Sequence, residues 1–114
     1  MISRSEIRQF VKKLAGEFNP ERVILFGSYA RGRPSQDSDV DLLVVTNYRG
    51  DWVDKAVQMR LRIPRTFPLD LIVRRPSEIR LRLAMNDSFV STIMREGRIL
   101  YEQAPRRMDR QGRR

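Results

Sequence analysis

The run Gly27-Ser28-Tyr29-Ala30-Arg31-Gly32-Arg33-Pro34-Ser35-Gln36-Asp37-Ser38-Asp39-Val40-Asp41-Leu42-Leu43-Val44-Val45 decides how this chain is read. It opens on a Gly-Ser turn, crosses ten residues, and reaches two carboxylates spaced one apart that lead into an apolar stretch. Residues two apart on a strand project from the same face, their Cα atoms about 6.5 Å apart. Asp39 and Asp41 therefore point together, and carboxylates held that close repel unless a cation lies between them. Asp37 and Asp39 alternate in the same way; Asp39 and Asp41 are preferred because they lead directly into Leu42-Leu43-Val44-Val45. Ahead of them, Gly27 lets the backbone approach a phosphate, and the Ser28 hydroxyl and the N–H groups that follow can donate to it. Arg31 and Arg33 lie one turn away, placed to neutralise phosphate charge. A phosphate-binding turn thus sits beside a divalent-metal site, which points to a nucleotide.

The flanking segments supply the scaffold. Ser3 and Glu6 have capping-box spacing, and Ile7, Phe10, Val11, Leu14 and Phe18 recur at helical intervals, so a helix is predicted from about residue 4 to 17. Arg22 to Phe26 reads as a short buried strand that feeds the Gly27-Ser28 turn, and Tyr29 to Arg33 as one helical turn. Val40 to Thr46 forms a second strand. Val53, Ala56, Val57 and Leu61 have helical spacing and stop at Pro64, and Phe67 to Val73 is a third strand with Pro68 at its entry. Pro76-Ser77 starts one or two further helices that Gly97 ends, and Arg98 to Glu102 adds a short edge strand.

For Gly27-Ser28 at the exit of the first strand to face Asp39 and Asp41 at the entry of the second, those strands must run antiparallel. The second reaches the third through a helix, which implies a parallel crossover. The expected fold is α/β, a small mixed sheet in the order 1-2-3 with helices packed on it. Asp70 then lies inside the apolar third strand, where an unpaired charge is costly, and can join the other two carboxylates. Three convergent carboxylates suffice for two ions roughly 3.5–4 Å apart, the arrangement used for in-line displacement at phosphorus.

The rest of the composition narrows the chemistry. With no Cys and no His, thiol nucleophiles, Ser-His-Asp triads and thiolate or imidazole zinc sites are excluded. Oxygen ligands suit hard cations such as Mg2+ or Mn2+. The 114 residues, 40% apolar and 32% charged, give room for one domain, expected over 1–104. Residues 105–114 hold five Arg against one Asp and are expected to form a disordered basic tail. No stretch approaches the roughly 18 apolar residues of a membrane helix, and Met-Ile-Ser-Arg-Ser-Glu lacks the apolar core of a signal peptide, so a cytoplasmic protein is expected. The net charge of +9 comes from 20 Arg and three Lys. It raises a competing reading, RNA binding through Arg49, Arg60, Arg62, Arg65, Arg74, Arg75 and the tail. Only 8% of the residues are aromatic and no stacking pattern is visible, which ranks RNA lower.

Gly27-Ser28, ten residues, then Asp39-Val40-Asp41, with Ala30-Arg31-Gly32 and Ser38-Asp39 around them, resembles the signature of the DNA polymerase beta superfamily of nucleotidyltransferases. It is most similar to the minimal nucleotidyltransferases, small proteins usually paired with HEPN-domain ribonuclease toxins. The resemblance covers residues 5 to 102, with Asp70 as third carboxylate and a closing segment, Phe89 to Glu102, typical of that group. It implies a polymerase-beta-like fold and transfer of AMP from ATP to an acceptor hydroxyl. Asp39 and Asp41 would hold two Mg2+ ions, with Mn2+ as an alternative. Asp70 would bind the ion nearer the nucleophile and help take its proton, and Gly27 and Ser28 would hold the triphosphate. The implied acceptor is a Tyr hydroxyl of the HEPN toxin, which the modification silences, so the chain would act as an antitoxin within a hetero-oligomer. A non-catalytic antitoxin that inhibits by binding is one alternative. Transfer to an RNA end or a small molecule, with a partner chain completing the site, is another. The nucleotide and metal half takes nearly the whole chain, so the acceptor has to arrive on another molecule.

Overall fold

The computed structural model describes residues 2–104, and the basic segment 105–114 lies outside the described residues. Helix α1 (Arg4–Phe18) starts at the reciprocal capping box: Ser3 Oγ accepts from the Glu6 N–H and Glu6 Oε1 from the Ser3 N–H, at 3.1 Å each. Ile7, Phe10, Val11 and Leu14 form its buried face, and Asn19 ends it in the left-handed conformation. There follow β1 (Arg22–Phe26), the single turn α2 (Gly27–Ala30), β2 (Val40–Val45), α3 (Trp52–Arg62), β3 (Leu69–Arg74), α4 (Pro76–Ala84), α5 (Ser88–Glu96) and β4 (Arg98–Glu102).

The four strands lie in the order β3-β2-β1-β4. The expected run 1-2-3 is there, antiparallel between β1 and β2 and parallel between β2 and β3. The Arg98–Glu102 edge strand pairs antiparallel with β1, on the side away from β2. Phe67 and Pro68 precede β3 rather than open it. Phe67 is instead a core residue, its ring edge-on to Phe10 at 5.7 Å.

Strand alternation divides the core in two. Val23, Leu25, Leu42, Val44, Leu71 and Val73 pack with α1 and α3 on one face of the sheet. Ile24, Leu43 and Val45 pack with Ile79, Val90 and Ile93 of α4 and α5 on the other. Coverage of both faces explains why β2 is an unbroken apolar run after Asp41. It also puts Asp41, in step with Leu43 and Val45, on the α4/α5 side.

Several of the arginines that raised the RNA reading are engaged in this framework. Arg75 donates from Nε to the Tyr48 carbonyl at 3.1 Å and from Nη2 to the Gly50 carbonyl at 3.2 Å, with its guanidinium 4.0 Å from the Tyr48 ring centre. Glu78 Oε1 accepts from both the Arg75 N–H and the Tyr48 hydroxyl, which fastens the β2–α3 loop to α4. Arg60 Nη2 donates to the Leu69 carbonyl at 2.8 Å, Arg62 pairs with Glu17, and Arg74 lies 4.6 Å over the Trp52 ring. Among the described residues no helix is long and apolar enough to cross a membrane.

Leu42 is fully buried and directly follows Asp41. Leu42→Ala is expected to destabilise the fold by about 2–4 kcal/mol in urea unfolding. A loss below about 1 kcal/mol would mean that the strand carrying Asp41 is not the packed centre of the sheet.

Candidate active site

Chain reversal after β1 is set at Gly27, whose φ of +73° penalises any residue with a Cβ. A second constraint acts at the same atom: a Cβ there would lie 2.1 Å from Asp41 Oδ2. The turn backbone is therefore packed directly against the carboxylate. Strand register produces this contact, because Phe26 is opposite Asp41 across the antiparallel pair and Asp70 is beside Asp41 across the parallel one. Phe26, Asp41 and Asp70 form one row across the sheet, and α2 begins where that row ends.

Within the turn, the Arg31 N–H donates to the Gly27 carbonyl at 3.1 Å and the Arg33 N–H to the Ser28 carbonyl at 2.9 Å. No side chain caps the start of α2. Its first N–H groups have no partner within the helix, which is the property an anion exploits. Ser28 belongs to this first turn and is partly exposed.

Asp41 is half-buried, whereas Asp39 and Asp70 are exposed. Burial, then the neighbouring charges of Asp70 and Asp39 and a hydrogen bond with Asp70, push the Asp41 carboxyl up to about 6, while Arg31 pulls it the other way. The structure thus brings Asp39, Asp41, Asp70, Gly27 and Arg31 into one neighbourhood. Asp37 is left in an exposed turn ahead of β2, and Asp39 immediately precedes that strand. The expectation of a costly buried charge at position 70 is corrected. Strand β3 is at the sheet edge and alternates, with Leu69, Leu71 and Val73 buried and Asp70 open to solvent.

Sequence reasoning missed the aromatic wall beside the turn. Phe89, 49% exposed at the start of α5, sets its ring edge-on to Phe26 at 5.8 Å. With Gly27, Arg31, Ile93 and Glu96 the two rings line a cavity of about 220 Å³ between α2 and α5. Only the pairing of β1 with β2 brings Phe26 to the site.

The donor set suits an oxygen-seeking divalent cation. Only carboxylates are present, and the crowding that raises Asp41 is what a cation relieves. Asp41 and Asp70 are the close pair; among the described residues no three acidic side chains already form a closed ligand set.

Three expectations follow for stability. A carboxyl raised from 3.8 to about 6 contributes stability below pH 4 that is lost as the pH rises through 6. Asp41→Asn is therefore expected to raise the melting temperature at pH 7.5 without divalent cations by about 2–4 °C, a solvent-screened effect, and to match wild type near pH 4. Mg2+ should stabilise wild type and leave the variant unchanged. Gly27→Ala is expected to cost about 2 kcal/mol in chemical unfolding and markedly less in an Asp41→Ala background, since that removes the clashing oxygen. Equal costs in the two backgrounds would show that turn and carboxylate are not in contact.

Residues 4–100 match the family model of the nucleotidyltransferase domain. A protein of Methanocaldococcus jannaschii named "Putative protein adenylyltransferase" is 34% identical over 104 residues, covering 89% of this chain and 100% of that one. Another of the same name and organism is 30% identical over 77 residues, 68% of this chain and 75% of its own length. Among solved structures, a "putative nucleotidyltransferase" of Sulfolobus solfataricus is similar with a TM-score of 0.61 at 24% identity, over 87% of this chain and 79% of that one. A chain of a toxin–antitoxin complex crystallised with AMP-PNP gives 0.54 at 19% identity, over 84% and 73%. At these identities the structural likenesses speak for the fold, while the family match spans almost the whole described chain. The turn, the carboxylate row and the sheet that joins them belong to a member of the nucleotidyltransferase domain family.

Proposed function

We propose that this chain transfers AMP from ATP to a hydroxyl of a partner protein, a Tyr of a HEPN-domain ribonuclease toxin, and acts as the antitoxin of that pair. The observation that carries the reading is the contact of the Gly27 backbone with Asp41, which makes the phosphate turn and the carboxylate site a single unit. A protein acceptor is supported by the names of the M. jannaschii relatives and by a fold shared with a toxin–antitoxin chain.

In this reading Asp39, Asp41 and Asp70 would hold two Mg2+ ions. Bound there, the ions supply electrostatic stabilisation of the attacking and leaving oxygens in an in-line displacement. The bend at Gly27 brings backbone N–H groups and the Ser28 hydroxyl against the triphosphate. Arg31, already felt electrostatically by Asp41, offsets the charge of the departing pyrophosphate. The acceptor oxygen bonds to the α-phosphorus as the bond to the β-phosphate oxygen breaks. Pyrophosphate leaves with the electron pair, and Asp70 takes the hydroxyl proton. Exposure of Asp70 on an edge strand leaves it within reach of an acceptor carried by another molecule. The cavity walled by Phe26 and Phe89 gives a nucleobase apolar walls beside the same turn.

The test is intact-mass spectrometry of the HEPN partner after incubation with this chain, ATP and Mg2+. A gain of about 329 Da per AMP unit is expected, the mass of the group the displacement transfers. The Asp39→Asn, Asp41→Asn double variant should leave the mass unchanged. An unmodified partner that still binds tightly would replace transfer with inhibition by occlusion.

A further inference from the structure

Away from the carboxylates, a groove of about 600 Å³ runs between α1 and β4. A smaller extension of about 80 Å³ shares Arg8 and Leu100 with it and reaches Tyr29 of α2. Three features of this groove have no role in the site described above. Arg4, Arg8 and Lys12, spaced four apart on α1 and all exposed, make a cationic ridge along one bank. Among the described residues no acidic side chain lines either part of the groove. Strand β4 ends the sheet order, so its outer edge has no strand partner among the described residues, and its Ile99 is 52% exposed.

Gly16 adds to these. It lies inside α1, lines the groove, and a Cβ there would meet nothing within 4 Å. Glycine weakens a helix interior, and no contact among the described residues calls for it. Its effect is to keep one end of the groove open.

We propose that this groove docks an extended, acidic segment of a partner protein. The segment adds to β4 as a fifth strand and sets its carboxylates against Arg4, Arg8 and Lys12. Charge selects the occupant. The chain's own residues 105–114 carry five Arg against one Asp, and a second copy carries the same net +9, so both are repelled. A single-stranded RNA would use the cations but neither the strand edge nor the apolar floor at Leu100. Docking needs no nucleotide, so the inference stands or falls separately from AMP transfer.

The experiment uses the full chain without ATP or Mg2+ and a fluorescein-labelled ten-residue peptide of alternating Glu and Val, with a ten-nucleotide oligouridine as comparator. Saturable peptide binding by anisotropy is expected, with amide shifts at Ile99 to Glu102 in 15N-labelled protein. Arg8→Glu with Lys12→Glu should weaken it about tenfold or more. Gly16→Leu fills the groove and leaves every cation in place. It should weaken the peptide by a similar factor while its unfolding midpoint stays at or above wild type. Absence of peptide binding, undiminished binding by Gly16→Leu, or tighter binding of the oligouridine than of the peptide would each overturn the proposal.

Discussion

The contact between the Gly27 backbone and the Asp41 carboxylate is the constraint on which the remainder of the structure depends. A turn that carries no Cβ and a carboxylate that occupies the space a Cβ would take are mutually fitted. They meet only in the observed register, with Phe26 opposite Asp41 and Asp41 beside Asp70. A slip of one residue would carry Asp41 to the other face of the sheet and away from the turn. What prevents the slip is packing. Val23 and Leu25 belong to the α1/α3 core while Ile24 belongs to the α4/α5 core, so a one-residue slip would turn each of them toward the wrong core.

That packing holds an arrangement that is electrostatically unfavourable by itself. Asp41 sits half-buried next to two other carboxylates, and its raised pKa records the strain. Arg31 relieves part of it. Asp70 escapes the desolvation that affects Asp41 because β3 is an edge strand. One carboxylate is thus held within the sheet while its neighbour faces outward.

Much of this was legible in the residues. The capping box at Ser3 and Glu6 marked the start of α1, and the Gly-Ser to Asp-Val-Asp spacing implied the antiparallel turn from which the strand order follows. Local patterns could not reveal which edge β4 would occupy, since Arg98 to Glu102 reads the same beside β1 or beside β3. Burial at position 70 was misread for a related reason: flanking apolar residues look alike in a central strand and in an alternating edge strand. The Phe26–Phe89 wall and the internal duties of Arg60, Arg62, Arg74 and Arg75 depend on contacts between residues far apart in sequence. A count of basic residues does not distinguish a guanidinium that holds a loop from one that faces a phosphate.

The two edges of the sheet differ in character. Strand β3 carries the exposed Asp70, and β4 borders the cationic groove. Between them, Arg98 lines the groove extension and donates from Nε to the Ala30 carbonyl at 3.0 Å, at the end of the turn that begins with Gly27. Tyr29, in that same turn, accepts at its hydroxyl from the Ile2 N–H, just ahead of α1. The Gly27–Ala30 turn is therefore braced from the side of the groove by a strand residue and by the chain leading into α1, and the sheet braces it from the other through Asp41. An element of four residues has little stability of its own, so the precision of the site comes from these supports.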